Sequence, residues 1–207
     1  PADFIPQAEA NGSIRAIGAW VMRQACAQLV SWGSEPLLEP LHVAVNVSAR
    51  EFRHPDFVVD ALATLQASDA RAGKLTLELT ESVLVDKLDE VIATLSALKA
   101  RGIGLSLDDF GTGYSSLNYL RRLPLDELKI DQSFVRDVLT DPNDATIVRM
   151  VITLGQSLGL QVIAEGVETE AQRDFLVENG CARFQGYLFS RPMPLAEFEA
   201  FVRARNG

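Results

Sequence analysis

Cysteine, histidine and tryptophan are scarce in this 207-residue chain, at two residues each. Two cysteines, Cys26 and Cys181, cannot build a disulfide framework, so a reduced, cytoplasmic setting is expected. His42 and His54 have no partner at metal-ligand spacing and read as structural or surface residues. No Ser-His-Asp set, nucleophile elbow or Cys/His pair can be assembled, which argues against covalent nucleophilic catalysis. No apolar run approaches the ~18 residues of a membrane helix, and no secretory leader opens the chain. Basic residues are also in deficit: 19 Lys+Arg against 28 Asp+Glu leave a net charge of −9. Such a chain is ill suited to hold long nucleic acid or an anionic membrane by bulk attraction. What is present is ample apolar material, 47% hydrophobic against 23% charged, enough for a core and against disorder. The length is about 1.4 times the ~150-residue prior for a domain, so one large domain is expected. The chain opens Pro1-Ala2-Asp3 without an initiator Met and reads as a piece of something longer.

Short β-prone runs alternate with stretches at helical spacing. The strands are expected at His42–Val47, Lys74–Leu79, Gly104–Phe110, Glu127–Asp131, Gln161–Glu165 and Arg183–Phe189. Asp86–Arg101 carries Leu88, Ile92, Leu95 and Leu98 on one stripe, with Asp86 as N-cap and Gly102 as stop. Asp144–Leu158 carries Ile147, Val151, Leu154 and Leu158, and Gly159 ends it. Thr169-Glu170-Ala171-Gln172 reads as a capping box for a helix closed by Gly180. A first helix is expected near Ser13–Val30 and a last one at Pro194–Ala204. Repeated strand-then-helix units imply a parallel sheet, either a (β/α)8 barrel two strands short or an open doubly wound sheet. Alternation places Ala44 with Asn46, Thr76 with Glu78 and Ser106 with Asp108. A small or polar residue below a functional one, on three strands, favours the barrel.

The strand ends carry the chemistry: Asn46; Glu78 and Glu81; Asp108 and Asp109; Lys129 and Asp131; Glu165 and Glu168; Gln185. A lone carboxylate after a strand is commonly an N-cap or a solvated loop charge, but six such ends in succession converge on one rim of a parallel barrel. Carboxylates crowded together require a counter-charge. Oxygen donors with an Asn amide, and no His or Cys, point to Mg²⁺ or Mn²⁺, and the paired Asp108-Asp109 to two ions. Lys129 would neutralise developing charge or position a water; the competing reading is a plain salt bridge to Asp131 or Glu127. The stretch Asp109–Ser116 resembles a glycine-rich phosphate loop but fits no nucleotide-binding pattern, and reads as a loop coupled to the metal site.

In order along the chain stand Phe4-Ile5-Pro6, Val45-Asn46-Val47-Ser48, Glu78-Leu79-Thr80-Glu81-Ser82 and Asp108-Asp109-Phe110-Gly111-Thr112-Gly113-Tyr114. Leu128-Lys129-Ile130-Asp131, Ala164-Glu165-Gly166-Val167-Glu168 and Gln185-Gly186-Tyr187 follow. This ordered set, from Pro1 to about Leu195, resembles the EAL-domain family, which hydrolyses the bacterial second messenger cyclic di-GMP to linear pGpG. The resemblance implies an α/β fold, a (β/α)8 TIM-like barrel of the EAL type with one early strand antiparallel. Residues 1–207 would form a single domain holding about six of the eight strands, without its N-terminal two. It also implies roles. Asn46, Glu78 and Asp108 would ligate a first Mg²⁺ or Mn²⁺, and Asp108, Asp109 and Glu165 a second. Lys129 and Glu165 would position or deprotonate the attacking water. Glu81 would hold the loop after Asp108-Asp109, Asp131 and Glu168 would support the site, and Gln185 would face water or substrate.

The family's Glu-Ala-Leu motif is not in the chain, which begins after the place that motif would occupy; Gln7 and Ser13 are smaller departures. Two readings follow. One is a Mg²⁺-dependent cyclic di-GMP phosphodiesterase in its complete form; the other is an inactive EAL-like module that binds cyclic di-GMP or a protein partner as a sensor. The resemblance further implies a bacterial cytoplasmic domain and a homodimer built partly from the segment after Asp108-Asp109. An upstream sensor or diguanylate cyclase domain in the parent protein, and a membrane tether there, are compatible with this chain.

Overall fold

The chain places its capping and stop residues so that helices and strands alternate, and a computed structural model describes residues 3–85, 87–111 and 117–206. The expected N-cap Asp86 and the loop residues Thr112–Ser116 lie outside the described residues. In chain order the elements are α1 (Ile5–Asn11), α2 (Ile14–Trp32), β1 (Val43–Val47), α3 (Ala49–Phe52), α4 (Phe57–Ser68), β2 (Leu75–Thr80) and α5 (Leu88–Lys99). There follow β3 (Gly104–Phe110), α6 (Leu117–Leu120), β4 (Glu127–Ile130), α7 (Gln132–Arg136) and α8 (Pro142–Leu158). The last are β5 (Gln161–Ala164), α9 (Glu170–Glu178), β6 (Arg183–Phe184) and α10 (Leu195–Asn206). The chain forms two compact units, one of residues 1–79, 89–104 and 193–207, the other of residues 80–88 and 105–192.

In the first unit β1 and β2 pair in parallel with Val43 opposite Leu75 and Asn46 opposite Glu78. The period-2 alternation of β1 is kept: Val45 and Val47 are buried while Ala44 and Asn46 face out. The α3 start is fixed by a capping box, in which the Ser48 hydroxyl accepts the Glu51 N–H and the Glu51 carboxylate accepts the Ser48 N–H. The C-terminal helix α10 is tied to α2 by polar contacts, since Glu199 accepts from Trp32 Nε1 at 2.8 Å and from Gln28 Nε2 at 3.1 Å. Arg203 adds a two-pronged contact to Glu35 at 2.7 and 2.9 Å.

In the second unit β3, β4, β5 and β6 are parallel neighbours in sequence order, with Leu107 opposite Leu128 and Lys129 opposite Ile163. Asp141 caps α8 through the Asn143 N–H, Pro142 occupies the first turn, and Gly159 ends the helix at φ +72°. Its buried face, Ala145, Val148, Val151, Ile152 and Gly155, is turned from the expected Ile147–Val151–Leu154–Leu158 stripe. The helix presses on β5 at Gly155, where a Cβ would lie 2.3 Å from Val162 Cγ2, and that close contact sets its rotation. The last expected strand, Arg183–Phe189, is cut to Arg183–Phe184. After Phe184 the chain turns through Gly186, whose Cα is so close to Val167 that a Cβ would lie 2.2 Å from its carbonyl oxygen. Helices α1, α3, α4, α6 and α7 are additions to the expected elements.

Candidate active site

The first unit sets two of the expected site residues side by side. Asn46 and Glu78 are register partners near the C-terminal ends of β1 and β2, with Glu78 buried and Asn46 exposed.

The second unit gathers a larger group. Adjacent residues of a strand point to opposite faces, so Asp108 and Asp109 would ordinarily diverge. The β3–β4 register shifts between Leu107 and Phe110, and Asp109 takes a left-handed backbone conformation at φ +54°. This β-bulge re-aims one side chain, and the two aspartates end on the same cluster. One carboxylate oxygen from each of Asp108, Asp109 and Glu165 lies within 4.8 Å of the others, a grouping suited to a metal ion. Lys129, 3% exposed, reaches into it from β4. Its Nζ lies 2.6 Å from Glu165 Oε1 and 3.1 Å from Asp108 Oδ1. A buried ammonium between two carboxylates satisfies charges that burial alone would penalise.

Asp131 follows β4 and caps α7, accepting the Ser133 N–H at 2.9 Å and the Ser133 hydroxyl. It also shares a hydrogen bond with Asp109. The two respond oppositely. Burial, then the negative charge of Asp108, then the hydrogen bond and charge of Asp131 push Asp109 up to about 6, against the pull of Lys129. Burial also works to raise Asp131, but hydrogen bonds from Ser133 and the Gln132 N–H, together with the one from Asp109, hold it below the usual carboxylate range. Of the two, Asp109 is therefore the one that takes up a proton first as pH falls. Glu81, directly after β2 and buried, accepts the Gly111 N–H at 2.8 Å through Oε1. Its Oε2 is buried without a hydrogen-bond partner among the described residues, as is the fully buried Ser106 Oγ two positions before Asp108.

Glu168 and Gln185 lie on interlocked loops and are exposed. The Gln185 N–H donates to Ala164 O at 2.8 Å, and its carbonyl accepts the Val167 N–H at 3.0 Å. The second unit thus brings together Asp108, Asp109, Lys129, Asp131 and Glu165, with Glu81 attached through Gly111. Sequence reasoning missed Ser133 and Gln172. The Asp131-x-Ser133 spacing of a helix cap was the legible signal for the first. Gln172 was read as half of a capping box, yet its Nε2 also donates to Val135 O and Arg136 O. His54 keeps its local role, its Nδ1 accepting the Asp56 N–H, and both cysteines are free and buried.

A model of the EAL domain family matches residues 1–192 of this chain. The chain is similar to the cyclic di-GMP phosphodiesterase NbdA of Pseudomonas aeruginosa, 48% identical over 204 residues covering 99% of this chain and 26% of that protein. It is also similar to the bifunctional diguanylate cyclase/cyclic di-GMP phosphodiesterase MucR of the same organism, 44% identical over 206 residues, 98% of this chain and 29% of that protein. The chain therefore spans less than a third of the length of either relative. Among solved structures, the PaMucR phosphodiesterase in complex with c-di-GMP superposes with a TM-score of 0.91 at 44% identity, covering 96% of this chain and 80% of that one. BlrP1 of Klebsiella pneumoniae, solved as a manganese/cy-diGMP complex, superposes with a TM-score of 0.71 at 33% identity, covering 84% of this chain and 45% of that one.

Proposed function

The chain belongs to the EAL domain family, and from that premise we propose that it is a metal-dependent phosphodiesterase that hydrolyses cyclic di-GMP to linear pGpG. The observation that carries the reading is the cluster of Asp108, Asp109 and Glu165 with Lys129 set against it. The donor set fits a hard divalent cation, because these three donors are carboxylate oxygens and the crowding that pushes Asp109 up to about 6 is what a cation would relieve. Mg²⁺ or Mn²⁺, as two ions, is the proposed complement, held by Asp108, Asp109 and Glu165. Asn46 and Glu78 are proposed as further ligands. When bound, such ions polarise a phosphate oxygen and acidify a water.

The side chains supply the rest. Glu165 is the proposed base, taking the proton of the attacking water, and the Lys129 ammonium 2.6 Å away keeps its carboxylate oriented. Lys129 also offsets negative charge as the phosphate is attacked. Asp131 holds Asp109 in place, and Glu81 fixes the start of the following loop through Gly111. Gln185 and Glu168 are proposed to face the water and substrate region. A bacterial cytoplasmic setting and a homodimer are part of the same proposal. Among the described residues, no helix is long and apolar enough to cross a membrane.

The test is hydrolysis of cyclic di-GMP with Mg²⁺ or Mn²⁺, followed as pGpG by chromatography. Glu165→Gln should lower turnover by about 10²–10⁴-fold, the span of general-base catalysis, with cyclic di-GMP still bound. Unchanged turnover in that variant would mean the base is misassigned. Binding without pGpG from the parent protein would identify a sensor instead of a hydrolase.

A further inference from the structure

The five-residue helix α7 contributes no proposed ligand or base, yet it touches the loops that carry them. Its first residue, Gln132, is packed against Gly166, the residue after Glu165. Gly166 has φ +69°, and a Cβ there would lie 2.6 Å from Gln132 Cβ and 3.2 Å from its Cα. Two residues on, the Phe134 ring lies against Gly111, two positions beyond Asp109. Gly111 has φ +104°, and a Cβ there would come within 2.9 Å of Phe134 Cε2. Neither loop could therefore carry a Cβ here unless its neighbour shifted, Gln132 at Gly166 and the Phe134 ring at Gly111, and both glycines have a backbone that other residues rarely adopt.

The helix itself is pinned at both ends. Asp131 caps its N-terminus through Ser133, and the buried Gln172 side chain donates to Val135 O at 3.2 Å and Arg136 O at 3.1 Å at its C-terminus. Gln172 Oε1 in turn accepts the N–H groups of Glu168 and Thr169. Val135 is fully buried and anchors the turn from below. A pinned, close-packed body between two loops resists compression and fixes how near they come.

We infer that α7 is a spacer that sets the separation of Asp109 and Glu165, with Phe134 and Gln132 as positioning residues. The inference rests on the phosphodiesterase reading for its kinetic consequence. A displacement of about 1 Å in a catalytic arrangement lowers turnover by about 10²-fold, so a spacer reports in kcat and metal affinity before it reports in substrate binding.

The experiment compares Phe134→Ala, Phe134→Leu and Gly166→Ala in the intact protein. It measures kcat and KM for cyclic di-GMP with Mn²⁺, Mn²⁺ affinity by calorimetry, and the melting temperature. Phe134→Ala should lower kcat by about 10- to 100-fold and weaken Mn²⁺ binding, with KM within about threefold. Phe134→Leu, which restores bulk, should recover most of both. Gly166→Ala, pushing from the other side, should lower kcat likewise. A Phe134→Ala protein that melts lower but keeps kcat and Mn²⁺ affinity within twofold of the parent overturns the inference, as does failure of leucine to rescue. If Phe134→Ala does not fold, Phe134→Leu close to the parent together with a slow Gly166→Ala supports the spacer, and an unimpaired Gly166→Ala overturns it. If the parent itself makes no pGpG, the phosphodiesterase reading fails on its own, and Mn²⁺ affinity alone decides the spacer: unchanged affinity in all three variants overturns it.

Discussion

Asp109 combines a left-handed backbone with a carboxyl pushed up to about 6, and both properties come from its neighbours. The backbone conformation, which costs about 1–3 kcal/mol for a non-glycine residue, persists because the bulge brings Asp109 to the cluster beside Asp108. The raised pKa has two consequences of definite sign. The folded state holds the Asp109 proton more tightly than the unfolded chain, so without metal this residue's contribution to stability falls as pH rises from about 4 through about 6. A metal ion must displace that proton, so Mn²⁺ affinity should be level above about pH 6 and weaken by about tenfold per unit just below it. Calorimetric titration between pH 5 and 8 checks this, and Asp109→Asn should remove the bend while weakening affinity throughout. A bend that survives in the variant would assign the proton elsewhere. The identity of these side chains was legible in the sequence, since carboxylates at successive strand ends stand out. Their convergence on one rim was legible too, from the repeated strand-then-helix units; the bulge that lets Asp108 and Asp109 share a cluster was not, because strand alternation separates neighbours and nothing in the local pattern announces it.

At the scale of elements, caps were the most legible features and short helices the least. The Thr169/Gln172 capping box forms as the spacing predicts, with Gln172 N–H donating to Thr169 Oγ1 and Gln172 Oε1 accepting the Thr169 N–H. What spacing could not reveal is that the same amide reaches two carbonyls of α7, because those partners are 37 and 36 residues away. The difference is measurable. Thr169→Ala removes a cap and should destabilise by about 1 kcal/mol. Gln172→Ala removes the reciprocal cap and also both amide contacts to α7, of which Val135 O keeps the Val138 N–H while Arg136 O loses its donor at a cost of about 1–3 kcal/mol. Urea denaturation should therefore show Gln172→Ala to be destabilising by at least about twice as much as Thr169→Ala; equal effects would mean that water replaces the lost donor. The unexpected helices have similar causes. In α4 the buried residues are Ala61 and Leu65, too weak an apolar stripe to stand out after the His54-Pro55 break. In α7 five residues are too few for any periodicity, and the cap at Asp131 does the work of starting the helix. The over-long final strand failed for the opposite reason: its alternation continues, but the close pass of Gly186 over Val167 ends the ladder.

Over the whole chain, the excess of acid, 28 Asp+Glu against 19 Lys+Arg, offers cations two distinct ways to stabilise the protein. One is general screening of a net charge of −9, which any salt provides and which depends on ionic strength alone. The other is occupancy of the Asp108–Asp109–Glu165 cluster, which depends on the identity of the ion and on those three residues. The magnitudes separate them. A ligand at about 100 times its dissociation constant stabilises the folded state by about 2.7 kcal/mol. For a chain of this length that raises the melting temperature by about 5–10 °C. Mg²⁺ or Mn²⁺ should produce such a shift, a chelator should reverse it, and NaCl at matched ionic strength should produce much less. Asp108→Asn should abolish most of the divalent-specific part while leaving the salt response intact. Ca²⁺ should also raise the melting temperature, since it accepts the same oxygen donors, but should block pGpG formation because it takes more ligands at longer bonds. Equal shifts from NaCl and MgCl₂ at matched ionic strength would assign the acidity to solvation of the surface and remove the strongest support for a metal centre. A divalent-specific shift lost in Asp108→Asn ties the chain's most unusual bulk property to one bulged strand end.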